Sequence, residues 1–171
     1  ITIDGTAITL SSGDLTLDVA NNIFLDADGG VINLKDGGTS YGQLIKSSND
    51  FRIFNPISDG DIVFRGNDGG SNISALTLDM SDAGTATFNH DIKLGDGGIA
   101  AFGASDDLQI YHDGTDSFVK ESGDGNLNLA SNGTGVHIIN DTDSETMATF
   151  HKNGAVTLYH DNSAKIATTS T

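Results

Sequence analysis

The chain has 171 residues and a formal charge of −16, from 24 acidic and 8 basic side chains, with no Cys, no Trp, one Pro and 22 Gly. This composition excludes a disulfide framework and thiolate chemistry, and it excludes a nucleic-acid partner, whose phosphates are bound by displacing counterions with Lys and Arg. It equally disfavours an anionic membrane surface, and no apolar run approaches the roughly 18 residues of a membrane span.

Of the acids, 22 are Asp and only 2 are Glu, Glu121 and Glu145. Asp bonds its own backbone and prefers caps and turns, so helices spend acid as Glu. The split argues against a helical protein. Leu, Ile, Val and Phe make up about a quarter of the chain, above the roughly 20% below which disorder is the default. A core can form, but a lean one.

Period two begins at the first residue. Ile1-Thr2-Ile3, Ile8-Thr9-Leu10, Leu15-Thr16-Leu17, Ile23-Phe24-Leu25 and Ile32-Asn33-Leu34 are short apolar units, mostly with a polar centre. The pattern continues through Phe51-Arg52-Ile53-Phe54, Leu76-Thr77-Leu78, Leu108-Gln109-Ile110, Leu127-Asn128-Leu129 and Val156-Thr157-Leu158. Alternate strand residues face opposite sides, so each unit turns two apolar groups one way. Between units stand Asp28-Gly29-Gly30, Asp36-Gly37-Gly38, Asp68-Gly69-Gly70, Asp96-Gly97-Gly98, Asp113-Gly114, Asn132-Gly133 and Asn153-Gly154. These residues tolerate positive φ and make tight turns. Pro56 marks a turn or strand end. No stretch sustains the helical i, i+3, i+4, i+7 spacing. The class is all-β.

The beat at Leu10, Leu17, Leu25 and Leu34 predicts a thin β-repeat shaft over residues 1–33. Beyond it the sequence echoes itself. Leu34-Lys35-Asp36-Gly37-Gly38 returns as Leu94-Gly95-Asp96-Gly97-Gly98, and Asp50-Phe51-Arg52-Ile53-Phe54 as Asp107-Leu108-Gln109-Ile110-Tyr111. Gly84 to Asp91 returns as Gly154 to Asp161. These echoes predict two related β modules, 34–93 and 94–171. The chain opens in a strand pattern without Met or a signal peptide and stops on Thr168-Thr169-Ser170-Thr171, so it is expected to be a segment of a longer protein.

Phe102-Gly103-Ala104-Ser105-Asp106-Asp107-Leu108-Gln109-Ile110-Tyr111-His112-Asp113-Gly114 resembles a phrase that recurs in tail fibres and other virion structural proteins of marine phages. So do Gly125-Asn126-Leu127-Asn128-Leu129 and the run from Gly154 to Thr169. The resemblance covers about the C-terminal 80 residues. It implies an elongated, trimeric virion appendage, located outside the cell, supporting host attachment. It implies no catalytic residues.

Candidate chemistry was weighed against plainer roles. Asp26 with Asp28, and Asp141, Asp143 and Glu145, place carboxylates at alternate positions, as Ca²⁺ ligands do. Neither run completes an EF-hand, and Asp serves turns at lower cost in sequence. The expected cofactor set is therefore none, beyond loose Ca²⁺ on an acidic surface. His90, His112 and His160 each precede Asp. Imidazole beside carboxylate serves metal shells and general-base catalysis, but neighbours in a strand point apart. In a trimer, one His per chain on the axis could form a three-His site. Carboxylate pairs for glycoside cleavage carry little information among 24 acids, and sugar-stacking aromatics are sparse. No Gly-x-Ser-x-Gly elbow or phosphate-binding Gly-Lys-Ser/Thr is present. The chain is not expected to be an enzyme.

Short strands bury little and expose edges that invite another chain. A homotrimer answers both, as an elongated β-fibre of triple-stranded β-helix or β-prism type. Ile8, Leu10, Leu15, Leu17, Phe88, Leu108, Ile110, Leu127, Leu129, Val156 and Leu158 are the expected axis-facing core. The other partners expected are further virion tail proteins and a host-surface glycan or protein. Two alternatives stand beside this one. The first is a glycan- or surface-binding adhesin module that uses the turns at 113–116 or 67–70. The second is a single-chain parallel β-helix, as in a polysaccharide-degrading tailspike.

Overall fold

A computed structural model of the chain describes residue 8 and residues 10–140, 142 and 145–169. Among them there is no helix. Thirteen strands follow one another: β1 (Val31–Asp36), β2 (Thr39–Ser47), β3 (Asp50–Phe54), β4 (Ile62–Asp68), β5 (Ser71–Asp79), β6 (Thr85–Phe88), β7 (Ile99–Phe102), β8 (Leu108–His112), β9 (Ser117–Glu121), β10 (Gly135–Asn140), β11 (Glu145–His151), β12 (Val156–His160) and β13 (Ser163–Ala167). They form four sheets in chain order: β1-β2-β3, β4-β5-β6, β7-β8-β9 and β10-β11-β12-β13. Every ladder is antiparallel. The alternative of a single-chain parallel β-helix is thereby corrected. Tight two-residue loops return the chain beside the strand it has just left, which parallel pairing forbids.

Those loops follow from the turn residues. Gly37 and Gly38 join β1 to β2 with φ of 53° and 85°, and Gly69 and Gly70 join β4 to β5 with φ of 57° and 95°. Positive φ at both central positions matches the twist of the flanking strands. Asp161 and Asn162 do the same between β12 and β13, with φ of 56° and 54°. Bulges interrupt four hairpins, after Leu34, Phe64, Ile138 and Leu158, and each sharpens the local twist. Pro56 lies just beyond β3.

The chain divides into two compact units, Ile1–Ile92 and Lys93–Thr171. Each holds two sheets. Only the last of the three sequence echoes falls on equivalent strands, β6 and β12, each third in its sheet. Asp36-Gly37-Gly38 closes a hairpin, whereas Asp96-Gly97-Gly98 precedes β7 and Gly97 N donates to His112 O at 2.8 Å. The Asp50 echo lands on β3, an edge strand, and on β8, a central one.

Ile1-Thr2-Ile3 lies outside the described residues, and the apolar units between residues 10 and 26 depart from expectation. Residues 10–26 lack both a strand and a backbone hydrogen bond to another segment among the described residues. Leu127-Asn128-Leu129 likewise lies outside any strand. Alternation decides which way side chains point. A strand also needs a second segment to complete its hydrogen bonds, and no described segment supplies them there.

Burial is confined to the fourth sheet. Ala148, Thr149 and Thr157 are the only buried residues among those described. Leu108 and Val156 are half-buried. Ile8, Leu10, Leu15, Leu17, Phe88, Ile110, Leu127, Leu129 and Leu158 are exposed within the single chain.

Candidate functional site

Cross-strand register sorts each sheet into two faces, because directly paired residues share a side. On the first sheet Ile32, Leu44 and Ile53 form one row across three strands. Leu34 and Phe51 lie on the same face. Gly42 sits opposite Leu34, and a Cβ there would stand 3.3 Å from Leu34 Cδ1. The reverse face is mixed: Val31 pairs with Ile45 and Gln43 with Phe54, and Gln43 Nε2 donates to Asn33 Oδ1 at 2.6 Å.

The second sheet carries the rows Phe64–Leu76–Phe88 and Ile62–Leu78–Ala86, backed by Val63–Thr77–Thr87. The third carries Ala100–Ile110–Val119 with Phe102 and Leu108 beside it. Its reverse face holds Tyr111 stacked on Phe118 at 4.7 Å. The fourth carries Val136–Phe150–Val156 and Ile138–Ala148–Leu158–Ile166, backed by His137–Thr149–Thr157–Ala167.

A stable domain covers such faces with a second layer. Here Phe64 is 48% exposed, Phe88 45% and Ile110 45%. Two of the sheets are partly covered: Leu25 lines a groove with Ile32, Leu44 and Phe51 on the first, and Leu127 and Leu129 line one of about 390 Å³ with Val136, Ile138 and Phe150 on the fourth. The chain exposes 14282 Å². A folded monomer of its mass exposes about 7,900 Å², and two separate units of half that mass about 9,600 Å². The excess survives even the more generous reference. Apolar area of this kind stabilises by about 25 cal/mol per Å² wherever it is buried.

The carboxylates are engaged locally. Asp79 Oδ1 accepts from Ser81 Oγ at 2.7 Å, Ser81 N at 2.9 Å and Asp82 N at 3.1 Å. The Ser81 hydroxyl holds this carboxyl below its usual value, opposed by desolvation and aided by the backbone N–H groups of Asp82 and Ser81. Asp113 Oδ1 accepts from Asp116 N at 2.8 Å and Thr115 N at 2.9 Å, which lowers its pKa for the same reason. Asn67 Oδ1 accepts from Gly70 N at 2.9 Å. The turns at 113–116 and 67–70, where a glycan contact was considered, thus direct these oxygens at their own backbone.

A depressed folded pKa adds stability above the unfolded value, and that stability is lost as pH falls through the folded one. Asp79→Asn removes the titrating group. We therefore expect the variant to lose less melting temperature than the native chain between about pH 4 and pH 2. Thermal scans by circular dichroism check this; equal acid sensitivity in the two chains would refute it.

Asp141 and Asp143 lie outside the described residues. Glu145 Oε1 accepts from Asp161 N at 2.8 Å, and Thr146 N donates to Asn162 Oδ1 at 2.8 Å. Glu145 therefore ties the β10–β11 hairpin to the β12–β13 turn. Among the described residues no group of three or more His, Cys, Asp or Glu is arranged to hold a metal.

The histidines do not all behave as strand neighbours. His90 Nδ1 reaches Asp91 Oδ1 at 3.2 Å, outside the strand setting in which neighbours are expected to point apart. Both lie past the end of β6, where alternation no longer applies. His112 Nδ1 lies 3.1 Å from Ser117 Oγ across the β8–β9 pair. His137 and His151 come together, with ring centroids 5.2 Å apart and planes at 79°. Sequence reading missed this pair, because only the β10–β11 register makes them diagonal neighbours.

In comparisons with protein-family models, with curated proteins and with solved structures, nothing matches the chain.

Proposed function

We propose that this chain is a structural, non-catalytic segment of a phage tail fibre or similar virion appendage, assembled as a homotrimeric β-fibre outside the cell. The observation that carries this reading is the set of exposed apolar side chains on one face of every sheet. In a trimer of prism type, three copies turn these faces inward and supply one another's second layer. Segment 10–26, alternating but without a strand or a backbone hydrogen bond to another segment among the described residues, then finds its hydrogen-bond partners on the neighbouring copies. The phage-like phrases at 102–114, 125–129 and 154–169 support the virion setting. Attachment to further tail proteins, and support of contact with a host-surface glycan or protein, follow from that setting.

The charge of −16 per chain keeps such fibres soluble and deters lateral bundling, and a salty medium eases the repulsion between chains of one trimer. Light scattering on the full chain tests the assembly. We expect a mass three times 17.7 kDa, unchanged on dilution or by chelator. A stable species of one or two chains would overturn it.

A further inference from the structure

We infer that His137 and His151 form a binding site for a late first-row divalent cation, of the Zn²⁺, Ni²⁺ or Cu²⁺ class, on the polar face of the fourth sheet. The inference is independent of the fibre reading, since both ligands belong to one chain. Neutral imidazole is a ligand suited to these metals, unlike Ca²⁺, which takes oxygen.

The spacing fits. With metal–nitrogen bonds of about 2.0–2.1 Å and a tetrahedral angle, two ligating rings have centroids about 5 Å apart. The observed separation is 5.2 Å. Both rings are exposed, so turning a nitrogen of each toward a common ion sacrifices no packing.

The backbone is shaped around this pair. Gly135 is the direct partner of His151. A Cβ on Gly135 would overlap the Phe150 carbonyl, and a Cβ on Gly154 would stand 2.9 Å from His151 Cβ. Two glycines thus flank His151 where any side chain would crowd it. Thr149 lies on the same face, opposite His137 and two residues before His151. It is 4% exposed, and its Oγ1 is buried with no hydrogen-bond partner. Such a group is normally satisfied by protein or water. A water in the coordination shell of an ion held by the two imidazoles would provide that partner.

The other histidines differ. His90 faces Asp91 and His112 faces Ser117, and neither shares a face with a second imidazole.

Titration of the full chain with Ni²⁺ and with Cu²⁺, followed calorimetrically and by Cu²⁺ electron paramagnetic resonance, tests the site. The native chain is expected to bind one equivalent saturably, with two-nitrogen coupling in the Cu²⁺ spectrum. His137→Ala and His151→Ala should each lose the saturable phase, while His90→Ala/His112→Ala/His160→Ala keeps it. Both ligand positions are exposed, and unchanged far-ultraviolet circular dichroism will show that the variants remain folded. Absence of saturable binding in the native chain, or its persistence in His137→Ala/His151→Ala, would overturn the proposal. So would a Cu²⁺ spectrum with oxygen ligands alone, which would mark adventitious binding to the carboxylates.

Discussion

Phe64→Asp/Phe88→Asp should convert the assembled protein into single chains. Phe64, Leu76 and Phe88 form one unbroken row across the second sheet. The outer two are 48% and 45% exposed in the isolated chain, so the substitutions disturb the sheet itself little. In a shared core each lost Phe withdraws about 1.5–3 kcal/mol of burial. Each carboxylate held away from water adds a penalty of several kcal/mol. Three copies multiply both effects. The matched control moves the same charges one residue along each strand. Val63→Asp/Thr87→Asp places them on the Val63–Thr77–Thr87 row, which this assembly leaves in solvent. Light scattering should give the mass of one chain for the first variant and of three for the control. Equal masses for the two variants would show that the apolar faces are not the contact.

How far the sequence foretold this arrangement depends on which physical rule was at work. Leu76-Thr77-Leu78, Leu108-Gln109-Ile110 and Val156-Thr157-Leu158 fall in β5, β8 and β12, because a local alternation met a turn that returned the chain alongside itself. The Gly pairs at 37–38 and 69–70 were legible for the same reason, since positive φ is a local demand. Leu15-Thr16-Leu17 and Leu127-Asn128-Leu129 carry an equally good alternation yet form no strand. Pairing is non-local, and nothing in these triplets names a partner. The histidine pair was hidden in another way. His137 and His151 are 14 positions apart, and the bulge after Ile138 helps set the register that brings them together. A hairpin prediction between 135–140 and 145–151, with that bulge placed correctly, would have exposed them. The contact of Glu145 Oε1 with Asp161 N was hidden for the same reason, since it joins two turns 16 positions apart.

Gly135→Ala should destabilise the fourth sheet more than an Ala at any open strand glycine. The backbone φ at Gly135 is ordinary, so the cost is not conformational strain. It arises from the close approach of β10 to β11, where the added Cβ meets the Phe150 carbonyl, the Phe150 carbonyl carbon at 3.0 Å and His151 Cα at 3.1 Å. These are backbone atoms of a paired strand and cannot swing aside as a flexible side chain would. Relief requires the ladder to part at its first rung, next to the only buried residues among those described. The expected loss is about 1–3 kcal/mol, read as a lowered melting temperature. Gly66→Ala in β4 is the control, for a Cβ there meets nothing within 4 Å and φ is again ordinary. That substitution should be neutral, or stabilise by about 0.4–1 kcal/mol through reduced freedom of the unfolded chain. A Gly135→Ala chain that melts with Gly66→Ala would mean that β10 and β11 are not held so closely. The register that aligns Val136 with Phe150, and His137 with Thr149, would then need to be drawn again.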